Sequence, residues 1–174
     1  MEELVSILNE DGTSTHKNIN KKIAHINGIC HGISAVGLIN NKGELLLQKR
    51  VKTKKLEPDK WDLSGAGHID INESPEEAAV RETYEELGIR FDKKDLIFVN
   101  TFLVKLKIND DININHYTYL FIIKKDININ DIIINKKEIS EIRYVNKEEY
   151  NYLLNSNKTV EGLKYCSKIL DYMK

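Results

Sequence analysis

Three glutamates, Glu82, Glu85 and Glu86, are the residues in this chain best suited to chemistry. Their spacing of i, i+3 and i+4 puts them on one face of a helix. They close a run of six carboxylates (Glu73, Glu76, Glu77, Glu82, Glu85, Glu86) that holds one cation, Arg81. Like charges on a shared face repel by a few tenths of a kcal/mol per pair in water. The three also sit towards the helix C-terminus, where the dipole disfavours anions. A bound cation relieves both penalties, and an oxygen-only donor set favours a hard divalent ion, Mg²⁺ or Mn²⁺. A bare E-x-x-E-E is more often a solvated acidic face, so the chemistry rests on what surrounds it.

The surroundings define a helix. Ser74, Pro75 and Glu77 form a capping box with proline at the first helical position. Gly88 can take the left-handed conformation that ends a helix. The helix is therefore predicted over 75–87, roughly 20 Å long. Before it, residues 3–9 read as a first strand, 13–28 as mixed polar sequence, and 31–39 as a buried strand. Asn40–Gly43 turns the chain into a return strand over 44–50, giving a hairpin. Residues 52–60 form a basic loop. After the helix, strands are predicted over 96–108, 117–124 and 139–145, with an Asn-Asp-Asp turn at 109–111. A helix follows over 147–155, capped by Asn146 with Glu149. Val160, Leu163, Leu170 and Met173 mark the apolar stripe of a last helix. No Pro/Gly/Ser linker divides the chain, so residues 1–174 are expected to form one domain with a short N-terminal extension, about 1–28. Strands on both sides of a central helix predict an α/β architecture with a mixed sheet between helical layers.

Composition narrows the function. The 174 residues are 41% hydrophobic and 30% charged, with net charge −1. This is ordinary for a soluble domain and implies no broad nucleic-acid or anionic-membrane surface. No apolar run approaches the roughly 18 residues of a membrane span. The acidic start lacks a signal-peptide charge pattern. Cys30 and Cys166 have neither metal nor redox spacing and read as two buried thiols. The expectation is a cytoplasmic protein with a small-molecule partner.

The spacing around the glutamates is more specific than any of these features. Gly67, Glu73, Arg81, Glu82, Glu85, Glu86, Gly88 and Ile89 together resemble the signature box of the Nudix hydrolases. Thr83 stands where that box usually carries an aliphatic residue, a change of packing and not of chemistry. The box covers about an eighth of the chain. The resemblance implies a Nudix-type α/β/α sandwich that hydrolyses a diphosphate bond, the substrate being a nucleoside diphosphate linked to a second group. It makes Glu82, Glu85 and Glu86 metal ligands and catalytic candidates. The Ala66 carbonyl is a further ligand, and Glu73 with Arg81 a structural pair. A homodimer is a common state of the fold and is the expectation here.

The order hairpin, Gln48-Lys49-Arg50, basic loop, Trp61-Asp62, Gly65-Ala-Gly-His68, then box is similar to the branch containing isopentenyl-diphosphate isomerase and its hydrolase relatives. Isomerases carry a catalytic cysteine immediately before the Gly-His pair, where this chain has Ala66. A methyl group cannot perform the proton transfer of a thiol. The isomerases' catalytic, metal-binding glutamate aligns with His116, and their box is usually degraded whereas this one is complete. All three departures favour hydrolysis over isomerisation. His25, His31 and His68 fall near the isomerases' metal histidines, but packing and hydrogen bonding are the simpler roles for them. Arg50, fixed at a strand end, is the best phosphate contact, ahead of Lys49 and the cluster at 52–55. Tyr117 and Tyr119 share a strand face and are candidates to stack a flat group. His68 is a further candidate. Glu141, preferred to Glu138, is a candidate for a late carboxylate closing the site. A third reading is a nucleotide sensor without turnover, which has no need of three intact glutamates.

Overall fold

The computed structural model describes residues 3–109 and 112–174. The expected turn at 109–111 falls largely outside them. Among the described residues nine strands form one mixed sheet: β1 (Leu4–Leu8), β2 (Ser14–Asn20), β3 (His31–Ile39), β4 (Leu45–Arg50), β5 (Trp61–Asp62), β6 (Gly65–His68), β7 (Ile97–Asn109), β8 (Ile112–Lys124) and β9 (Ile139–Val145). The described residues form three α-helices: α1 (Lys21–Asn27), α2 (Pro75–Leu87) and α3 (Lys147–Leu154). β3 is the hub, pairing antiparallel with β1, β4 and β6 and parallel with β8. β8 in turn pairs with β7, and β4 with β5 and β9.

The central strands are apolar on both faces because helical layers cover both. On one side Val36, Leu38, Leu46, Phe121 and Ile123 pack with Ala79 and Leu87 of α2. On the other, Ala35, Ile39, Leu45, Leu47, Leu120 and Ile122 pack with Tyr150 and Leu153 of α3 and with the C-terminal segment. Neighbouring residues in a strand thus serve opposite layers.

The sequence reading missed β5, β6 and the first five residues of β8, and two further regions differ from it in kind. The mixed polar stretch 13–28 contains β2 and α1. The Asn20 side chain accepts from Lys22 N and Ile23 N, and Gly28 closes α1 at φ 62°. Polar β2 is an edge strand against β1, and α1 buries only Ala24, so neither carries the apolar periodicity that reveals a buried element. At the C-terminus the expected α-helix is a 3₁₀ segment over Glu161–Asp171, kinked at Cys166. Val160, Leu163, Cys166 and Ile169 are all buried, and their spacing of three is the 3₁₀ period. Ile169, not Leu170, is the fully buried position.

Candidate active site

The capping box at the start of α2 is complete. Ser74 Oγ accepts from Glu77 N at 3.2 Å, and Glu77 Oε2 accepts from Ser74 N at 2.9 Å. These bonds, with Lys93 beside the carboxylate, hold the Glu77 carboxyl down at about 2. Gly88 ends the helix at φ 67°. Between these caps, α2 presents its glutamates to β6, which pairs with β3 through Ala66 and Gly67.

Arg81 ties this helix to the loop before it. Its Nε donates to Glu73 Oε1 at 2.8 Å and its Nη2 to Glu73 Oε2 at 2.7 Å, a bidentate pair. The same guanidinium donates to the His68 carbonyl at 2.9 Å and to Glu82 Oε1 at 2.7 Å. Burial pushes the Glu73 carboxyl up, but the Arg81 and Asp70 hydrogen bonds outweigh it and leave it below its ordinary value.

The three helix glutamates occupy different environments. Glu85 is exposed, 3.7 Å from Arg81 Nη1. Glu82 is half-buried, and burial raises its carboxyl despite the bond from Arg81. Glu86 is only 6% exposed. Its Oε2 accepts from Gln48 Nε2 at 2.8 Å and from Ala66 N at 3.1 Å. Burial pushes its carboxyl up to about 8. Gln48 was not among the residues expected at the site. The signal was a polar side chain on the α2-facing side of an otherwise apolar strand, visible only once that facing is known. Thr83 is fully buried against Gly65.

Gly67 has a steric role. A Cβ there would lie 2.0 Å from Glu82 Cδ, so any side chain displaces Glu82. Gly67→Ala is therefore expected to lower activity about 10- to 100-fold, in line with the effect of small misplacements of reacting groups. The melting temperature should change little, because the group displaced is a side-chain end. A rate assay beside a thermal melt checks this, and a wild-type rate would mean that Glu82 acts from elsewhere.

These groups face a cavity of about 1080 Å³. Glu82, Glu85, Glu86 and Ala66 line one end, with Arg50, Lys54 and Glu138 close by. Arg50 is oriented by the Leu56 carbonyl, to which its Nε and Nη2 donate at 3.3 and 3.1 Å, and by Asp62 at 3.6 Å. Burial raises the Asp62 carboxyl. Lys54 pairs with Glu138 at 2.9 Å. Of the two residues considered for a late carboxylate, Glu138 lines the cavity and Glu141 does not. Glu141 is exposed and sits opposite Lys49 on the β4–β9 ladder. Tyr117 and Tyr119 pack edge-to-face with each other, and neither ring lines the cavity. They alternate with His116, Thr118 and Leu120 along β8 and so face the opposite side of the sheet. Among the described residues, the phenyl ring lining the cavity is that of Phe102, stacked on Tyr165 at 5.7 Å between centroids.

His68 also lines the cavity, together with His25 and His116. His68 and His116 are held well below the ordinary imidazole value, first by burial and then by their histidine neighbours. Burial brings His31 down to about 4 and also lowers His25.

The model of the NUDIX domain matches residues 30–164. The chain belongs to the Nudix family. An uncharacterised Nudix hydrolase of Listeria monocytogenes is 34% identical over 154 residues, spanning 88% of this chain and 86% of that protein. An isopentenyl-diphosphate Delta-isomerase of Photorhabdus laumondii is 31% identical over 150 residues, covering 81% of each. A crystal structure from Deinococcus radiodurans superposes with a TM-score of 0.72 at 18% identity, covering 99% of this chain and all of that one. The last match carries the fold, which is the Nudix α/β sandwich expected from the box. The protein is a Nudix hydrolase, an enzyme class that cleaves pyrophosphate bonds in small molecules and generally uses divalent metals. Among the described residues no helix is long and apolar enough to cross a membrane.

The carboxylates fit such an ion. Two of them, Glu82 and Glu86, are drawn out of water towards one cavity; after burial, Glu85 and Glu138 raise the Glu82 carboxyl, and Glu82 raises that of Glu86. Glu86 has only two neutral donors to offset its burial. An arrangement this unfavourable to two anions is well matched to a hard divalent cation.

Proposed function

We propose that the chain hydrolyses the diphosphate bond of a nucleoside diphosphate linked to a second group, with Mg²⁺ or Mn²⁺ as its ion. The observation that carries this reading is Glu82 and Glu86 facing the same cavity as the fixed guanidinium of Arg50. Glu82, Glu85, Glu86 and the Ala66 carbonyl are the ligand set. When bound, the ion supplies positive charge for the phosphoryl oxygens and lowers the pKa of a coordinated water. Gln48 and the Ala66 amide hold Glu86 in place. Arg81 holds Glu82 on the helix face. Arg50 receives a substrate phosphate, and Phe102 offers a flat surface to a base. The cavity volume suits a ligand of nucleotide size. Residues up to about 28 act as an extension that supplies α1 to the cavity wall. The two thiols, Cys30 and Cys166, are free and buried, which suits a reducing, cytoplasmic setting.

A panel of nucleoside diphosphate derivatives, assayed with Mg²⁺ and Mn²⁺ and again in chelator, tests the proposal. Product release is expected only with the ion. Isopentenyl diphosphate in the same panel is expected to give no dimethylallyl diphosphate, because Ala66 lacks the thiol. Dimethylallyl product would support the isomerase, and binding without turnover across the panel would support a sensor.

A further inference from the structure

Four histidines from four separate elements meet at one point. His25 lies on α1, His31 opens β3, His68 ends β6 and His116 lies in β8. His31 and His116 are register partners on adjacent parallel strands. His68 is the partner of Ile33, two residues along β3 and so on the same face. His25 reaches this face from α1. Its Nε2 lies 3.1 Å from His68 Nε2, and 3.3 Å from the Nε2 of both His31 and His116. One ligand nitrogen from each of the four rings lies within 4.8 Å of all the others.

We propose that these four imidazoles bind a single zinc-class transition-metal ion, at a centre separate from the carboxylate site on α2. A tetrahedral ion with Zn–N bonds of about 2.0–2.1 Å places its nitrogens about 3.3–3.4 Å apart. The three separations from His25, one at 3.1 Å and two at 3.3 Å, lie close to that edge, and ring rotations would draw in the remaining pairs from within 4.8 Å. His31 Nδ1 donates to the Ile29 carbonyl at 2.7 Å. This fixes the tautomer that leaves the Nε2 lone pair pointing into the cluster, as an outer-shell carbonyl does for a metal-bound histidine. Four rings sharing one point do not satisfy one another by hydrogen bonding alone, because a neutral imidazole has a single N–H and that of His31 is spent.

The donor set identifies the ion's class. The cluster is all imidazole nitrogen, which favours Zn²⁺, Co²⁺, Ni²⁺ or Cu²⁺ and disfavours Mg²⁺. Four protein ligands leave no open coordination position, so the site is structural and not hydrolytic. Its mechanical role follows from α1. That helix buries Ala24 alone and leaves Ile23 and Ile26 exposed. An ion held by His25 and three strand residues pins α1 to the sheet, and with it one wall of the substrate cavity.

The test reads metal and not turnover, so its outcome is independent of the proposed reaction. Chelator-stripped protein in excess Mg²⁺ is titrated with Co²⁺ and then with Zn²⁺. One equivalent of Co²⁺ is expected to give the intense visible bands of tetrahedral coordination, which Zn²⁺ abolishes by displacement. Zn²⁺ should raise the melting temperature by about 5 °C or more. His25→Ala and His116→Gln should lose both effects, while the Glu82→Gln/Glu86→Gln double variant should keep them. If His116→Gln does not fold, His25→Ala, on a helix that buries little, carries the comparison. Weak octahedral bands, an unchanged titration in His25→Ala, or loss of the signal in the double variant would each overturn the proposal.

Discussion

Glu86→Gln is expected to lower the hydrolysis rate at least ~100-fold, the usual effect of losing a preorganised electrostatic group, while stabilising the metal-free protein. The variant keeps the side chain's shape, and its amide oxygen can still accept from Gln48 and the Ala66 amide. What it removes is a buried charge. The Glu86 carboxyl is raised from 4.5 in the unfolded chain to about 8 in the fold. A raised acid contributes stability that is fully present below pH 4.5 and lost as pH rises through about 8. Between those limits the metal-free wild type should lose up to ~1.4 kcal/mol per pH unit from this one group, and the variant should show a flatter profile. At pH 8 the variant should be the more stable by a few kcal/mol. This exceeds the ~0.5 kcal/mol that surface repulsion alone would give, because Glu86 is buried and not on a solvated face. Mg²⁺ should raise the wild-type melting temperature and raise that of the variant less. Melts across pH 5–9 in chelator and in Mg²⁺, beside a rate assay, separate the outcomes. A variant less stable than wild type at pH 8, with an unchanged rate and Mg²⁺ response, would make Glu86 a structural hydrogen-bonding residue.

Arg81→Ala should reduce stability and activity together. The substitution removes both hydrogen bonds to Glu73, the bond to Glu82 and the bond to the His68 carbonyl. It leaves two partly buried carboxylates without their cation. Breaking a fully buried pair costs about 3–5 kcal/mol. The Arg81 side chain is 28% exposed, so solvent screening lowers the expected loss to ~2–4 kcal/mol, or roughly 5–15 °C in melting temperature. Activity should fall ~100-fold, because Glu82 loses the group that orients it. Arg81→Lys should recover only part of either, since an ammonium cannot make the bidentate contact. An Arg81→Ala protein that melts like wild type would refute the clamp.

Local signals made α2 readable. Its caps, Ser74 with Glu77 and Gly88, act through hydrogen bonds between residues a few positions apart, so its predicted limits match those observed. The limits of β3 were readable because a largely apolar run marks a strand buried by flanking layers, and those of β9 because Ile139, Ile142, Tyr144 and Val145 recur between polar residues. β2 and α1 carry no such pattern. An edge strand paired with neighbouring β1 and a helix with one buried residue need no apolar stripe, so composition does not mark them even though their ladder and caps are local.

The same division runs through the site. The sequence alone determined the family, the helix and the identity of its three glutamates, because these rest on spacing within one short segment. It could not rank those glutamates. Burying Glu86 while leaving Glu85 exposed requires β4 and β6 to lie over one end of the helix face. Tertiary packing alone decided that Gln48 supports Glu86 and that Glu138 reaches the cavity while Glu141 does not. It placed Phe102 in the cavity where the tyrosines were expected, because strand alternation has meaning only once each face has a partner. It also brought together His25, His31, His68 and His116, which are spread over 92 positions of the chain. Their convergence comes from the parallel pairing of β3 with β8, a contact between strands more than 80 residues apart in sequence, and no local pattern encodes it.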